Sequence, residues 1–150
     1  MSNPSKMFSR FDRQLILKEW GEIGQAALAK ASVLVVGCGG LGNAIAPYLA
    51  GAGIGRMCLV DGDTVDLSNL HRQVHFKEDD VDAFKAETLA DVLAGLNSQI
   101  EIEVMAEHLT VDSAVDLIPE FDLVIDATDN FPTRFLIADE NTFNRNIVTD

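Results

Sequence analysis

Apolar residues along the chain fall into short unbroken runs, separated by stretches in which they recur every three or four positions. Residues 32–36 (Ser-Val-Leu-Val-Val), 57–60 (Met-Cys-Leu-Val) and 123–126 (Leu-Val-Ile-Asp) are runs of the first kind. Strands of a parallel sheet covered on both faces carry that pattern, because neither face meets water. Residues 101–105 alternate and predict a further strand, and 146–149 read as one more. Helical spacing fills the gaps: about 41–52, ended by Gly53 and Gly55; 83–96, ended near Gly95 and Asn97; a short piece over 113–118; and 133–145, with Pro132 suited to its start. A polar loop spans about 62–81.

Strands alternating with helices predict an α/β fold: a doubly wound, mostly parallel, Rossmann-like sheet with right-handed crossovers and helices on both faces. Ahead of it, the spacing of Phe11, Leu15, Ile16, Leu17, Trp20, Ile23, Ala27 and Leu28 predicts helical segments broken near Gly21 and Gly24. The expected division is an N-terminal helical arm over 1–30 and a sheet domain over 31–150, with residues 1–6 polar and disordered. The sequence stops inside or just after the final strand pattern. A doubly wound sheet seldom stops there, so the domain is expected to be incomplete, its C-terminal half absent.

Composition narrows the partners. With 150 residues, 47% of them hydrophobic, the chain can build one real core. Its 24 acidic and 11 basic side chains give a net charge of -13, which repels a phosphate backbone and argues against nucleic acid. The two cysteines, Cys38 and Cys58, form no Cys-x-x-Cys pair and no Cys/His cluster, so no zinc site is read here. A reducing cytoplasm is the expected compartment. No run has the length of a signal peptide core or a membrane span, so no membrane partner is expected.

Directly after the first strand, Gly37-Cys38-Gly39-Gly40-Leu41-Gly42 fits G-x-G-x-x-G and leads into a helix. The first glycine permits the tight turn, the second lets backbone approach a ligand, and the third lets helix and strand pack closely. The helix N-terminus offers free N–H groups to phosphate. Asp61 lies nineteen residues past Gly42, at the end of the second strand, where a carboxylate accepts ribose hydroxyls. The bland alternative is a glycine turn without a ligand. On these residues alone, a nicotinamide or flavin dinucleotide fits as well as ATP.

Three further clusters favour a triphosphate. Ser68-Asn69-Leu70-His71-Arg72-Gln73 brings two amides and a guanidinium that can fork onto phosphate oxygens. Lys85 adds a point charge at the start of the next helix. Asp126-Ala127-Thr128-Asp129-Asn130 ends the fourth strand, at the edge where such sheets hold ligands, and offers a carboxylate for magnesium. Singly, Arg72 and Lys85 read as solvated charges, and Asp129-Asn130 as a helix cap. Their coincidence with the glycine loop is what argues against those readings. His71, His75 and His108 form no ligand set and read as loop or surface residues, Trp20 as a packing anchor, and 78–80 as a solvated loop face.

Taken in order, Arg10-Phe11-Asp12-Arg13-Gln14, residues 37–42, Val60-Asp61-Gly62-Asp63-Thr64-Val65, residues 68–73, Lys85 and residues 126–130 resemble the ThiF/MoeB/HesA family of ubiquitin-activating-enzyme-like adenylyltransferases. The resemblance runs from about Ser9 to the end. It implies ATP-dependent adenylation of the C-terminal glycine of a ubiquitin-like sulfur carrier protein ending in Gly-Gly, with pyrophosphate released. It implies that Gly37, Gly39, Gly40 and Gly42 form the nucleotide loop, and that Asp61 takes the ribose with Asp63 beside it. Asn69, Arg72 and Lys85 would hold phosphates with support from Gln73, Ser68 would belong to the same nucleotide-binding set, and Asp129 would hold Mg2+ with Asn130 next to it. Arg13 would reach the phosphates of the other subunit of a homodimer, completing a catalytic set of Arg13, Arg72, Lys85 and Asp129. The zinc ligands and later cysteine of relatives are absent from these 150 residues, and neither Cys38 nor Cys58 matches that cysteine. Two alternatives remain: a NAD-binding oxidoreductase, and a non-catalytic nucleotide-binding or dimerisation module of the same family.

Overall fold

A computed structural model describes residues 4–140 and 147–149, with the side chains of 10–139. Strand β1 (Ser32–Val36) lies in the middle of a five-stranded sheet beside β2 (Arg56–Val60) and β4 (Leu123–Asp126). Strands β3 (Glu101–Met105) and β5 (Ile147–Thr149) flank them, in the order β3-β2-β1-β4-β5, and every pairing is parallel. The helices of the sheet domain are α3 (Gly40–Ala52), α4 (Lys85–Leu96), α5 (Val111–Leu117) and α6 (Phe131–Glu140).

The unbroken apolar runs have a direct cause. Val33 and Val35 of β1 pack into one core with Met57, Leu59, Ala46, Leu89 and Leu93, on the side of α3 and α4. Leu34 and Val36 pack into a second core with Val60, Ala114, Ile118, Val124 and Ile137, on the side of α5 and α6. Both faces of the strand are dry from Val33 to Val36, and Ser32, its one polar residue, is buried with its hydroxyl donating to Asp122. β3 lies at the edge of the order, keeps Glu101 and Val104 exposed and has no fully buried residue, so it carries no unbroken apolar run.

Ahead of the sheet, α1 (Pro4–Leu15) and α2 (Gly21–Leu28) pack on the far end of α3. Phe11 is buried there, the Gln14 and Gln25 amides donate to the Ala52 carbonyl, and Arg10 donates to the Leu96 carbonyl. Two expectations fail. Helix α1 starts at Pro4, inside the stretch expected to be disordered, because proline's missing N–H costs nothing in a first turn. The helical break falls at 16–20, and Gly24 sits inside α2. A Cβ at Gly24 would stand 2.8 Å from the Trp20 ring, so this glycine makes room for the aromatic residue and does not end a helix. The expected continuation of α6 to 145 and the strand start at Asn146 lie outside the described residues.

Leu89 is fully buried between α4 and the sheet. Leu89→Ala is expected to cost about 3 kcal/mol, the usual penalty for a cavity in such a core, read as a lower midpoint in urea denaturation.

Candidate functional site

The sheet order reverses at β1: β2 and β3 lie on one side, β4 and β5 on the other. Ligands of open parallel sheets bind at the carboxyl edge of such a switch point, and there the structure has a hollow of about 410 Å³. Gly37, Gly39, Gly40, Asp61, Asp63, Arg72, Gln73, Lys85, Asp129 and Asn130 line it together. These residues come from five separate stretches of chain.

The glycine loop is built by close approach. Gly37 has φ +96°, and a Cβ on it would stand 2.7 Å from the Ala127 carbonyl oxygen. A Cβ on Gly42 would fall 1.9 Å from the Gly37 carbonyl oxygen. Gly42 therefore packs helix on turn and does not line the hollow. The Gly37 amide donates to the Val60 carbonyl (2.8 Å), and the Ala127 amide to the Val36 carbonyl (2.8 Å), which extends the sheet's bonding into both turns. Gly39 precedes α3, and no side chain caps that helix, so its first-turn amides remain available to an anion.

Asp61 is 9% exposed and uses both carboxylate oxygens. One accepts from the Cys38 amide (2.7 Å), the other from the Asp63 amide (2.8 Å). Lys85 is 7% exposed, which excludes the solvated-charge reading. A buried ammonium needs a partner: its Nζ lies 3.1 Å from Asp63 Oδ2, and its amide donates to the Asp63 carbonyl. Arg72 is exposed, with its side chain over Gly40, and its guanidinium has no ion-pair partner among the described residues. Gln73 is 2% exposed, and its Oε1 has no hydrogen-bond partner there.

Some expected residues stand elsewhere. Ser68 and Asn69 belong to a single 3-10 turn (Leu67–Asn69) outside the lining. Ser68 is bonded to Asp66, and the Asn69 carbonyl accepts from the amides of Arg72 and Gln73. Both shape the turn that delivers the next two side chains. Arg13 is exposed on α1, at the far end of α3. Asn130 lines the hollow, but its Oδ1 also accepts from the Thr133 amide (3.0 Å), the cap expected of it. His108, read as an outlying surface residue, lines the hollow with Glu107 and Leu109. Its Nε2 lies 3.8 Å from Asp63 Oδ1, and its ring covers Gly62. No motif marked these three; their signal was position alone, just past β3 at the ligand edge.

Cys38 is fully buried within the loop and Cys58 is 3% exposed in β2. Burial first, then the Asp61 charge, pushes the Cys38 thiol well above its ordinary range. Burial, reinforced by Glu103, pushes Cys58 up to about 11. Among the described residues no helix is long and apolar enough to cross a membrane, and no three His, Cys, Asp or Glu side chains group as metal ligands.

Residues 11–148 match the ThiF family, and the chain belongs to it. Adenylyltransferase and sulfurtransferase MOCS3 of Anopheles gambiae is 52% identical over 131 residues, 87% of this chain and 30% of that protein. The sulfur carrier protein adenylyltransferase of Thermus thermophilus is 45% identical over 130 residues, 87% of this chain and 48% of that one. The chain thus spans less than half the length of either relative. E. coli tRNA N6-threonylcarbamoyladenosine dehydratase, TcdA, solved in complex with ATP, superposes with a TM-score of 0.90 at 29% identity. That match covers 99% of this chain and 61% of the TcdA chain.

Neither folded thiol ionises at pH 8, so the native protein is expected to resist thiol-specific reagents until it unfolds. The unfolded thiols ionise near their ordinary value of 9.0 while Cys58 holds its proton to about 11. The native state then binds more protons than the unfolded one, and stability is expected to fall as pH rises past 9. A urea midpoint series from pH 8 to 10 reads both effects if run with and without the reagent.

Proposed function

We propose that this chain supplies the nucleotide-binding part of an enzyme that uses ATP to adenylate the C-terminal glycine of a ubiquitin-like sulfur carrier protein. One observation carries the reading. Two cations, Arg72 and Lys85, and one carboxylate without a protein partner, Asp129, meet in a single hollow over the uncapped N-terminus of α3. A dinucleotide's pyrophosphate bridge is satisfied by backbone amides alone; two further cations suit a longer polyanion. The names of the relatives and the ATP complex of TcdA support the same class of chemistry.

In this reaction the carrier's terminal carboxylate attacks the α-phosphate of ATP, an acyl–phosphate bond forms, and pyrophosphate leaves. The protein's task is alignment and charge neutralisation. Asp61 and Asp63 stand at the ribose side, the glycine loop meets the phosphates, and Arg72 with Lys85 offsets charge that builds on the leaving pyrophosphate. Lys85 has to exchange its bond to Asp63 for phosphate oxygen. Asp129 suits Mg2+, which takes few protein oxygens and fills its shell from phosphate and water; Asp61 and Asp63 are already engaged. That ion supplies neutralisation of the phosphates.

Arg13 enters the reading only through a second copy. α3 has 13 residues, so at about 1.5 Å each it spans about 20 Å, and Arg13 lies beyond its far end. A homodimer in which each Arg13 serves the partner's hollow satisfies this distance.

In the full-length protein, labelled pyrophosphate is expected to exchange into ATP only when a Gly-Gly-ended carrier is present. Lys85→Ala and Arg72→Ala should each lower the exchange rate by about 10²- to 10³-fold, and Asp129→Ala should abolish it with an unchanged circular dichroism spectrum. Binding of NADH in place of ATP would overturn the reading.

Mixed Arg13→Ala and Lys85→Ala protomers should regain about a quarter of the parental rate. Half of the dimers are then hybrids, each with one intact site of two. No recovery at all would remove Arg13 from the shared site.

A further inference from the structure

The turn between β4 and α6, residues 127–130, forms one wall of the hollow, and two side chains outside the hollow hold it. Asp126 ends β4 and is 3% exposed. Its Oδ1 accepts from the Thr128 amide (3.0 Å) and from the Thr128 hydroxyl (2.7 Å). The Thr128 carbonyl oxygen accepts from two nitrogens of Arg134, Nε (3.2 Å) and Nη2 (2.9 Å). Ala127 is tied to β1 and Asn130 caps α6. Asp129, between these fixed points, is exposed, and its carboxylate has no partner among the described residues.

The pairing of charges is unusual. Arg134 has no carboxylate within ion-pair distance among the described residues, and Asp126 has no cation there. Asp126 Oδ2 is buried and has no hydrogen-bond partner among the described residues. An anion and a cation that could lower their energy by pairing directly are instead spent on the two ends of one residue, and charge-assisted bonds of this kind are the stronger ones.

We propose that Asp126 and Arg134 are positioning residues that clamp Thr128 from opposite sides, so that Asp129 stays turned toward the phosphates of the bound nucleotide. The inference rests on the nucleotide reading above. The clamp sets the magnesium-dependent share of ATP affinity and leaves the binding of base and ribose alone. Neither clamping residue lines the hollow, so both act through Thr128.

The test uses the full-length protein with calorimetric ATP titrations in Mg2+ and in EDTA, together with amide hydrogen exchange over 127–130. Arg134→Lys keeps the charge and loses the fork; Thr128→Ala loses the hydroxyl with little effect on packing. Each is expected to weaken ATP binding about tenfold in Mg2+ and less than about twofold in EDTA, and to speed exchange in the turn. Thr128→Ser should restore both. Parental affinity with parental exchange in both variants would overturn the clamp, and so would equal weakening with and without Mg2+, which marks general loosening. If the parent itself binds no ATP, the nucleotide reading fails and exchange decides alone: faster exchange keeps the clamp, unchanged exchange removes it.

Discussion

Everything in the hollow depends on where the two oxygens of Asp61 go. One holds the glycine loop at Cys38, the other holds the chain leaving β2 at Asp63. A single buried carboxylate thereby fixes the glycine loop against the segment that carries the ion partner of Lys85. Without it, the amide of Cys38 would be a buried donor with no acceptor, a cost of about 1–3 kcal/mol by itself. The larger loss would be geometric, because the loop and the Lys85 side chain would no longer share a reference point.

Fold and site were legible to different depths. β1, β2 and β4 could be read from their short unbroken apolar runs, because strands dry on both faces carry that pattern. The glycine loop was equally plain, since two of its positions, Gly37 and Gly42, exclude a side chain for steric reasons. Gly24 was misread because a glycine that accommodates a neighbouring ring looks the same in sequence as one that breaks a helix. Pro4 was misread for a related reason: polarity marked residues 1–6 as loose, while proline's fixed φ suits a helix start.

Within the site, side chains that carry charge on a recognisable spacing were found, and those placed by topology were missed. Glu107, His108 and Leu109 have no signature; they reach the hollow because β3 ends beside β2, a fact of strand order that a linear reading does not hold. Ser68 and Asn69 are a different case. Their polarity marked them for a ligand, yet they stand outside the lining, where Ser68 bonds Asp66 and the Asn69 backbone carbonyl supports the turn that carries Arg72 and Gln73.

The lining contains four carboxylates (Asp61, Asp63, Glu107 and Asp129) against two permanent cations, Arg72 and Lys85. Left alone, such a basin holds a negative potential at its mouth. A bare polyanion entering it meets that repulsion in full, and one that carries a counterion meets less of it. The balance of charge around the lining thus weighs a guest's ionic company alongside its shape.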